Sequence, residues 1–424
     1  MPPRPRSAFV CAIAASLLTS LLAAQAKPPG LPDLIRQLAD QDATVRLHAA
    51  EALAKLGPTA QPATSELLQA IAKGPGPVSD AAAIAIASIG KKTVPVLLKV
   101  LTDGDDGERI AALFAIRQFG VLSIPLQPQM RKLWLIEHHE LSTAVEDCFV
   151  ALKEHAVPEM TRAVSDFAVQ SAVCRVLGRI GPLAKPAVPA LRKLLLTKSA
   201  AAYSAAAPLG EIGDPSAIPD LTKVVQEAAQ HKRITETSRC TACASALGRF
   251  GPSAASAVPA LTQMLGTEVD ELSSIALDRA CMALGDIGVR SEPVLAALRH
   301  HAEKSKGDLQ KSARESLELL EFAPTASEGT VTRAIYHKNV DLQLLGLQRA
   351  IQNGTSSPTM AHVVVYRLEH SEHVDVRLAA LTALGAIGVF DETVGKALDA
   401  AAKHENPELA AKAQEVRSKL STKS

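Results

Sequence analysis

Cys240 and Cys243 are three residues apart, the spacing of a redox dithiol or of half a metal site. A thiol–disulfide motif normally sits where a strand runs into a helix, with its first cysteine activated. This pair instead lies near the start of an alanine-rich helical phrase, and no second cysteine pair completes a four-ligand zinc site. Cys148, Cys174, Cys243 and Cys281 each stand three or four residues before a leucine, where comparable phrases carry alanine. That shared position favours small core residues over reactive thiols. The histidine groups are His138-His139-Glu140, His300-His301 and His370-Ser-Glu-His373. Metal ligation needs three or four converging groups, and none of these is a His-Glu-x-x-His helix. They read as solvated turn residues. Serines, acids and histidines are too scattered for a triad.

Two further patterns concern binding and packing. Asp42/Arg46 and Asp105/Arg109 recur at one position, with Arg377 and Asp375 in a similar place. The aspartate can cap a helix, and the arginine four residues on can reach back to it. This reads as a structural ladder or, alternatively, as part of an inner binding face. The stretch from Gln226 to Arg239 is an insertion whose basic core is His231, Lys232, Arg233 and Arg239. It is a candidate partner-contact loop, and equally a tolerated surface loop.

The elements that must position these residues are set by periodicity. An apolar residue, a proline and spaced leucines recur as LPDLIRQL from Leu31, VPVLLKVL from Val94, VPALRKLL from Val188 and VPALTQML from Val258. The prolines at 32, 62, 95, 128, 158, 189, 219, 259 and 293 are 30 to 40 residues apart. Proline at the first helical position loses no hydrogen bond, and the leucines that follow share one face. A second phrase follows each first one, as in AVCRVLGRIG from Ala172 and AALTALGAIG from Ala379. Its small residues permit close helix approach, and its last glycine suits a left-handed cap. Helix, turn, helix and glycine make an αα-hairpin of about 32 residues that cannot bury its apolar side alone. Residues 126–156 lack the Leu-Gly-x-Ile-Gly ending, and Pro208 lies inside a second helix, where it should kink the chain.

These phrases resemble HEAT repeats, most closely the short subtype named for phycobilisome lyases, over about residues 31–420. The fold expected is all-α, an α-α superhelix: a HEAT-like α-solenoid of about 12 helical hairpins. Phe322–Thr330 reads as a hinge. The expected division is a signal peptide at 1–26, an array at 27–322 and a C-terminal set of repeats at 323–424. The resemblance implies scaffolding and binding more often than chemistry. HEAT-like deoxyhypusine hydroxylases hold two irons with His-Glu dipeptides six and five residues before the repeat leucine. Here those places hold Leu47-His48, Ser171-Ala172, Thr241-Ala242, Asp278-Arg279 and Leu378-Ala379. His139-Glu140 and His404-Glu405 fall elsewhere, so the iron site is not supported. Phycobilin-lyase relatives serve cytoplasmic pigment proteins, which conflicts with an export signal.

That signal consists of Arg4 and Arg6, an apolar run from Ala8 to Ala24 and Ala24-Gln25-Ala26 before Lys27. Cleavage near Ala26 removes two arginines and no acids, leaving 43 basic against 44 acidic residues. This balance argues against a general nucleic-acid binder, though not against a local basic patch. An aromatic content of 3% disfavours a stacking platform for single strands. No membrane span is expected in the mature chain. The reading is an exported, non-catalytic scaffold for protein partners, with no cofactor or metal. The alternative is a metal- or cofactor-dependent enzyme of hydroxylase or lyase type.

Overall fold

In the computed structural model, residues 29–197, 202–230, 237–322, 327–353 and 357–422 are described. The signal peptide and His231, Lys232 and Arg233 therefore lie outside the described residues. Those described are helical, without a strand, and the chain divides into two compact units at His155–Ala156. The first unit contains α1 (Leu31–Gln37), α2 (Ala43–Leu56), α3 (Thr64–Ala72), α4 (Pro77–Ile89), α5 (Val94–Asp103), α6 (Asp106–Ile116), α7 (Gln127–Lys132) and α8 (His139–Ala151). The second begins with α9 (Val157–Ala163), α10 (Gln170–Ile180), α11 (Val188–Leu195), α12 (Ala206–Ile212), α13 (Ile218–Ala229), α14 (Thr237–Phe250), α15 (Val258–Met264) and α16 (Glu271–Ile287). It continues with α17 (Glu292–Lys304), α18 (Gly307–Glu321), α19 (Glu328–Ile335), α20 (Val340–Asn353), α21 (Pro358–His370), α22 (Val374–Ile387), α23 (Glu392–Ala401) and α24 (Pro407–Ser421). Paired in order, these are twelve hairpins among the described residues, the α-solenoid class expected. The expected division at 322/323 falls inside the second unit.

Each unit is a two-layer stack. Second helices pack on the next second helix, as α10 on α12, α12 on α14 and α14 on α16. First helices form the other layer, as α13 on α15 and α21 on α23. Proline opens α5, α11, α13 and α15 at the first turn, where its missing N–H costs nothing. The closing glycines take two forms. Gly213, Gly288 and Gly388 are left-handed caps, as expected. Gly181 instead has φ 69° and ψ −139°, a region nearly closed to L residues. It starts a 3₁₀ turn, Gly181–Ala187, that runs straight into α11. In the irregular fourth hairpin Lys153 stands in the glycine's place with φ 49°, just before the division between units.

Three expectations change. Residues 77–103 do have the length and apolarity of a membrane span. They form α4 and α5 of neighbouring hairpins, turned by Gly90 at φ 76°. Pro208 does not kink a helix from within. It is the third residue of α12, among the N–H groups that lack intrahelical partners, and a 3₁₀ turn at Ala202–Ala205 precedes it. The Asp/Arg ladder is also built differently. Asp42 and Asp105 do cap their helices, accepting from Thr44 N and Glu108 N at 2.8 Å each. The arginines, however, mainly clamp the preceding turn. Arg46 donates to Asp40 O and Gln41 O (2.7 and 2.8 Å), Arg109 to Thr102 O (3.1 Å) and Arg377 to Ser371 O (2.6 Å). Gln170 does the same to Val164 O at 2.6 Å. Carbonyls left open at the end of a first helix attract these donors more directly than an already engaged cap.

The tenth hairpin breaks nearest-neighbour stacking. Its turn reaches back to the C-terminal ends of α14 and α16. His337 Nε2 donates to Gly285 O (3.0 Å), Asn339 Nδ2 donates to Gly288 O (3.4 Å), and Lys338 Nζ donates to Arg249 O. Donors and a cation thus meet the negative ends of two helices.

Buried His301 adds a pH-dependent contact. Its Nε2 donates to Leu265 O and its Nδ1 accepts from the Ser305 hydroxyl, each at 2.8 Å, so the ring is neutral. Burial, with His300 beside it, lowers its pKa from the ordinary 6.5. The unfolded chain therefore binds this proton more readily, and its stability contribution, present above the unfolded value, falls as pH drops below it. Urea midpoints of the wild type should decrease from about pH 7 to about pH 5. His301→Gln should flatten that slope, and an unchanged slope would refute the assignment.

Candidate functional site

A groove of about 380 Å³ in the second-helix layer of the second unit lies between α10 and α12. Ser171, Cys174, Arg175 and Arg179 come from one face of α10, at spacings of three, four and eight residues. Tyr203 and Ser204 come from the 3₁₀ turn before α12; Ala207, Pro208 and Glu211 come from α12; Ala242 comes from α14. Pro208 prevents the turn at 202–205 from continuing as α-helix, which holds Tyr203 at the groove mouth. Tyr203 is 47% exposed.

Close backbone packing shapes the floor. A side chain at Gly178 would collide with the Glu211 carboxylate and come within 3.4 Å of Pro208 Cα. Glycine at 178 thus lets Glu211 lie across α10, while Glu211 pairs with Arg249 of α14. Ser204 Oγ donates to Cys174 Sγ at 3.6 Å. Burial pushes the Cys174 thiol up, against smaller opposing effects of Ser204 and Arg175. The thiol is therefore a protonated wall of the groove and a poor nucleophile. Two guanidinium groups, a phenol and the Ser171 hydroxyl can together hold an anionic group by hydrogen bonds.

Two other grooves lie between second helices, both in the first unit. One, between α2 and α4, is lined by Leu47, Glu51, Lys55, Asp80 and Ile84. The other, between α6 and α8, is lined by Phe114, Arg117, His139, Glu140 and Asp147. The His139-Glu140 pair thus opens onto a groove, while His138 accepts from Leu141 N at 3.2 Å as the cap of α8. An apolar groove of about 430 Å³ involves first helices α9 and α11, beside Phe167, which is 76% exposed.

Arg239 is half-buried in the first turn of α14, the helix that also lends Ala242 to the α10–α12 groove. The five described cysteines are buried and unbridged. Burial raises the thiols of Cys148 and Cys243, and pushes Cys281 up to about 12. Among the described residues no His, Cys, Asp or Glu group could hold a metal ion. Arg175, Arg179 and Tyr203 were not singled out by motif. Their signal is a pair of arginines four apart on the second phrase of one repeat, opposite the proline-broken phrase of the next.

Residues 31–117 match the family model described as HEAT repeats, and residues 201–227 match that of the PBS lyase HEAT-like repeat. No curated protein matches the chain. Among solved structures, the CpcE–CpcF complex of phycocyanin lyase from Nostoc sp. is similar at 17% identity. That match covers 62% of this chain and 94% of that one, with a TM-score of 0.34. Importin beta is similar at 13% identity over 91% of this chain and 64% of its own, with a TM-score of 0.44. Human deoxyhypusine hydroxylase is similar at 20% identity over 69% and 96% of the two chains, with a TM-score of 0.26. These likenesses are of fold alone.

Proposed function

We propose that this chain is an exported, non-catalytic repeat scaffold that binds protein partners along its second helices. The observation that carries the reading is the α10–α12 groove. It combines exposed Arg175, Arg179 and Tyr203 with a floor whose one thiol is held protonated by burial. Arginine and tyrosine are the side chains most often found at the energetic centre of protein interfaces. Export rests on the N-terminal pattern of Arg4, Arg6, the apolar run and Ala24-Gln25-Ala26.

A photo-crosslinking residue at Ser171 should trap one discrete protein from the exported fraction, and the same residue at Lys223 on first helix α13 should not. Arg175→Glu combined with Arg179→Glu should abolish the Ser171 product. Equal products from Ser171 and Lys223 would refute the second-helix surface. Sequencing of the exported protein should begin at Lys27, and an intact N-terminus retained in the cytosol would refute export. Stoichiometric iron or zinc in purified protein would overturn the non-catalytic half.

A further inference from the structure

Two of the chain's three tyrosines meet on the opposite layer, in the C-terminal repeats. Tyr336 caps α19 and Tyr366 lies on α21, thirty residues or one repeat later. Their ring centroids are 5.1 Å apart, and both side chains are more than 40% exposed. The Arg367 guanidinium lies over both rings, 5.8 Å from that of Tyr336 and 5.7 Å from that of Tyr366. His370 stacks on Tyr366 at 4.3 Å.

The arginine is positioned but not used. Its Nε is buried without a hydrogen-bond partner among the described residues. No carboxylate there forms an ion pair with it, in contrast to Arg333, which lies 3.6 Å from Asp286 and 3.7 Å from Glu315. Glu369, two residues along α21, projects from a different face of the helix. A guanidinium offers five donors in a planar fork that matches a carboxylate. Ring faces hold that fork in place and remove the entropy cost of ordering it.

We infer that the Tyr336–Arg367–Tyr366 cluster binds an acidic, partly apolar segment of a partner protein, with one carboxylate seated on the Arg367 fork. A phosphate or lipid headgroup would call for several converging cations. The cations flanking Tyr336 in the chain are already engaged, Arg333 with Asp286 and Glu315, and Lys338 with Arg249 O. The exposed rings instead supply the apolar area that a peptide side chain beside the acid would cover. None of these residues lines the α10–α12 groove, so tests of the two surfaces can fail separately.

The test uses the full chain and a fluorescent peptide of alternating leucine and glutamate. Anisotropy should show binding that weakens about tenfold or more when glutamine replaces glutamate, or in Arg367→Gln. Arg367→Lys should recover only part of the affinity, since it keeps the charge and loses the fork. Tyr336→Ala should weaken binding while Tyr336→Phe largely preserves it. Circular dichroism melts should show each variant folded; if Arg367→Gln is not, the two Tyr336 variants and the glutamine peptide decide. No binding of the glutamate peptide, equal binding of the glutamine peptide, or unchanged affinity in folded Arg367→Gln would overturn the inference. So would Arg367-dependent binding of anionic phospholipid vesicles in preference to the peptide.

Discussion

Phe149→Ala should lower the stability of the first unit by about 3–5 kcal/mol, the range for removing a fully buried aromatic ring from a core. Phe149 is fully buried, on the second helix of the irregular hairpin. It packs against Trp134 with ring centroids 5.2 Å apart. The first helix of this hairpin, α7, is only six residues long, and Lys153 closes the hairpin in a conformation better suited to glycine. Trp134 is the chain's only tryptophan, so its fluorescence reports unfolding of this unit directly. A urea midpoint within experimental error of wild type would mean that Phe149 does not anchor the hairpin. Phe149→Leu retains much of the volume and should cost about 1–2 kcal/mol less than alanine.

The repeat pattern made the fold legible because proline, leucine and glycine each have one physical job at a fixed place. Pro189 starts a helix, Leu191 and Leu195 share its buried side, and Gly181 permits a conformation other residues resist. The Asp/Arg pairs were legible only in part. Sequence spacing places Arg46 near Asp42 but cannot show that open carbonyls at 40 and 41 compete for its donors. The docking of His337 and Lys338 onto α14 and α16 left no periodic trace, because it departs from the period. The binding surfaces were least legible. The insertion at 226–239 drew attention through its charge, whereas the tyrosine–arginine cluster depends on Tyr336 and Tyr366 being one repeat apart. In an aromatic-poor chain that spacing is a usable signal, since residues one repeat apart stack on the same face.

The first glycine of the Leu-Gly-x-Ile-Gly phrase permits a sharper test of how the second helices hold together. Alanine in a helix interior is favoured over glycine by about 1 kcal/mol, so propensity alone would make every such replacement stabilising. At Gly210 a new Cβ would come within 3.0 Å of Ala246 Cα and 3.1 Å of its Cβ, on the next second helix. Those atoms belong to backbone and a rigid stub that cannot turn aside. Gly210→Ala must therefore push α12 away from α14, and should be net destabilising by about 1–3 kcal/mol. At Gly385 the nearest obstacles are the Val416 methyls at 3.4 and 3.6 Å, ordinary contact distances. Gly385→Ala should accordingly gain about 0.5–1 kcal/mol. The opposite signs make the pair informative, because any general effect of alanine would move both the same way. Thermal melts of the two single variants decide it. A stabilised Gly210→Ala protein would show that the second helices are not held in backbone contact, and would remove the reason for their closer packing.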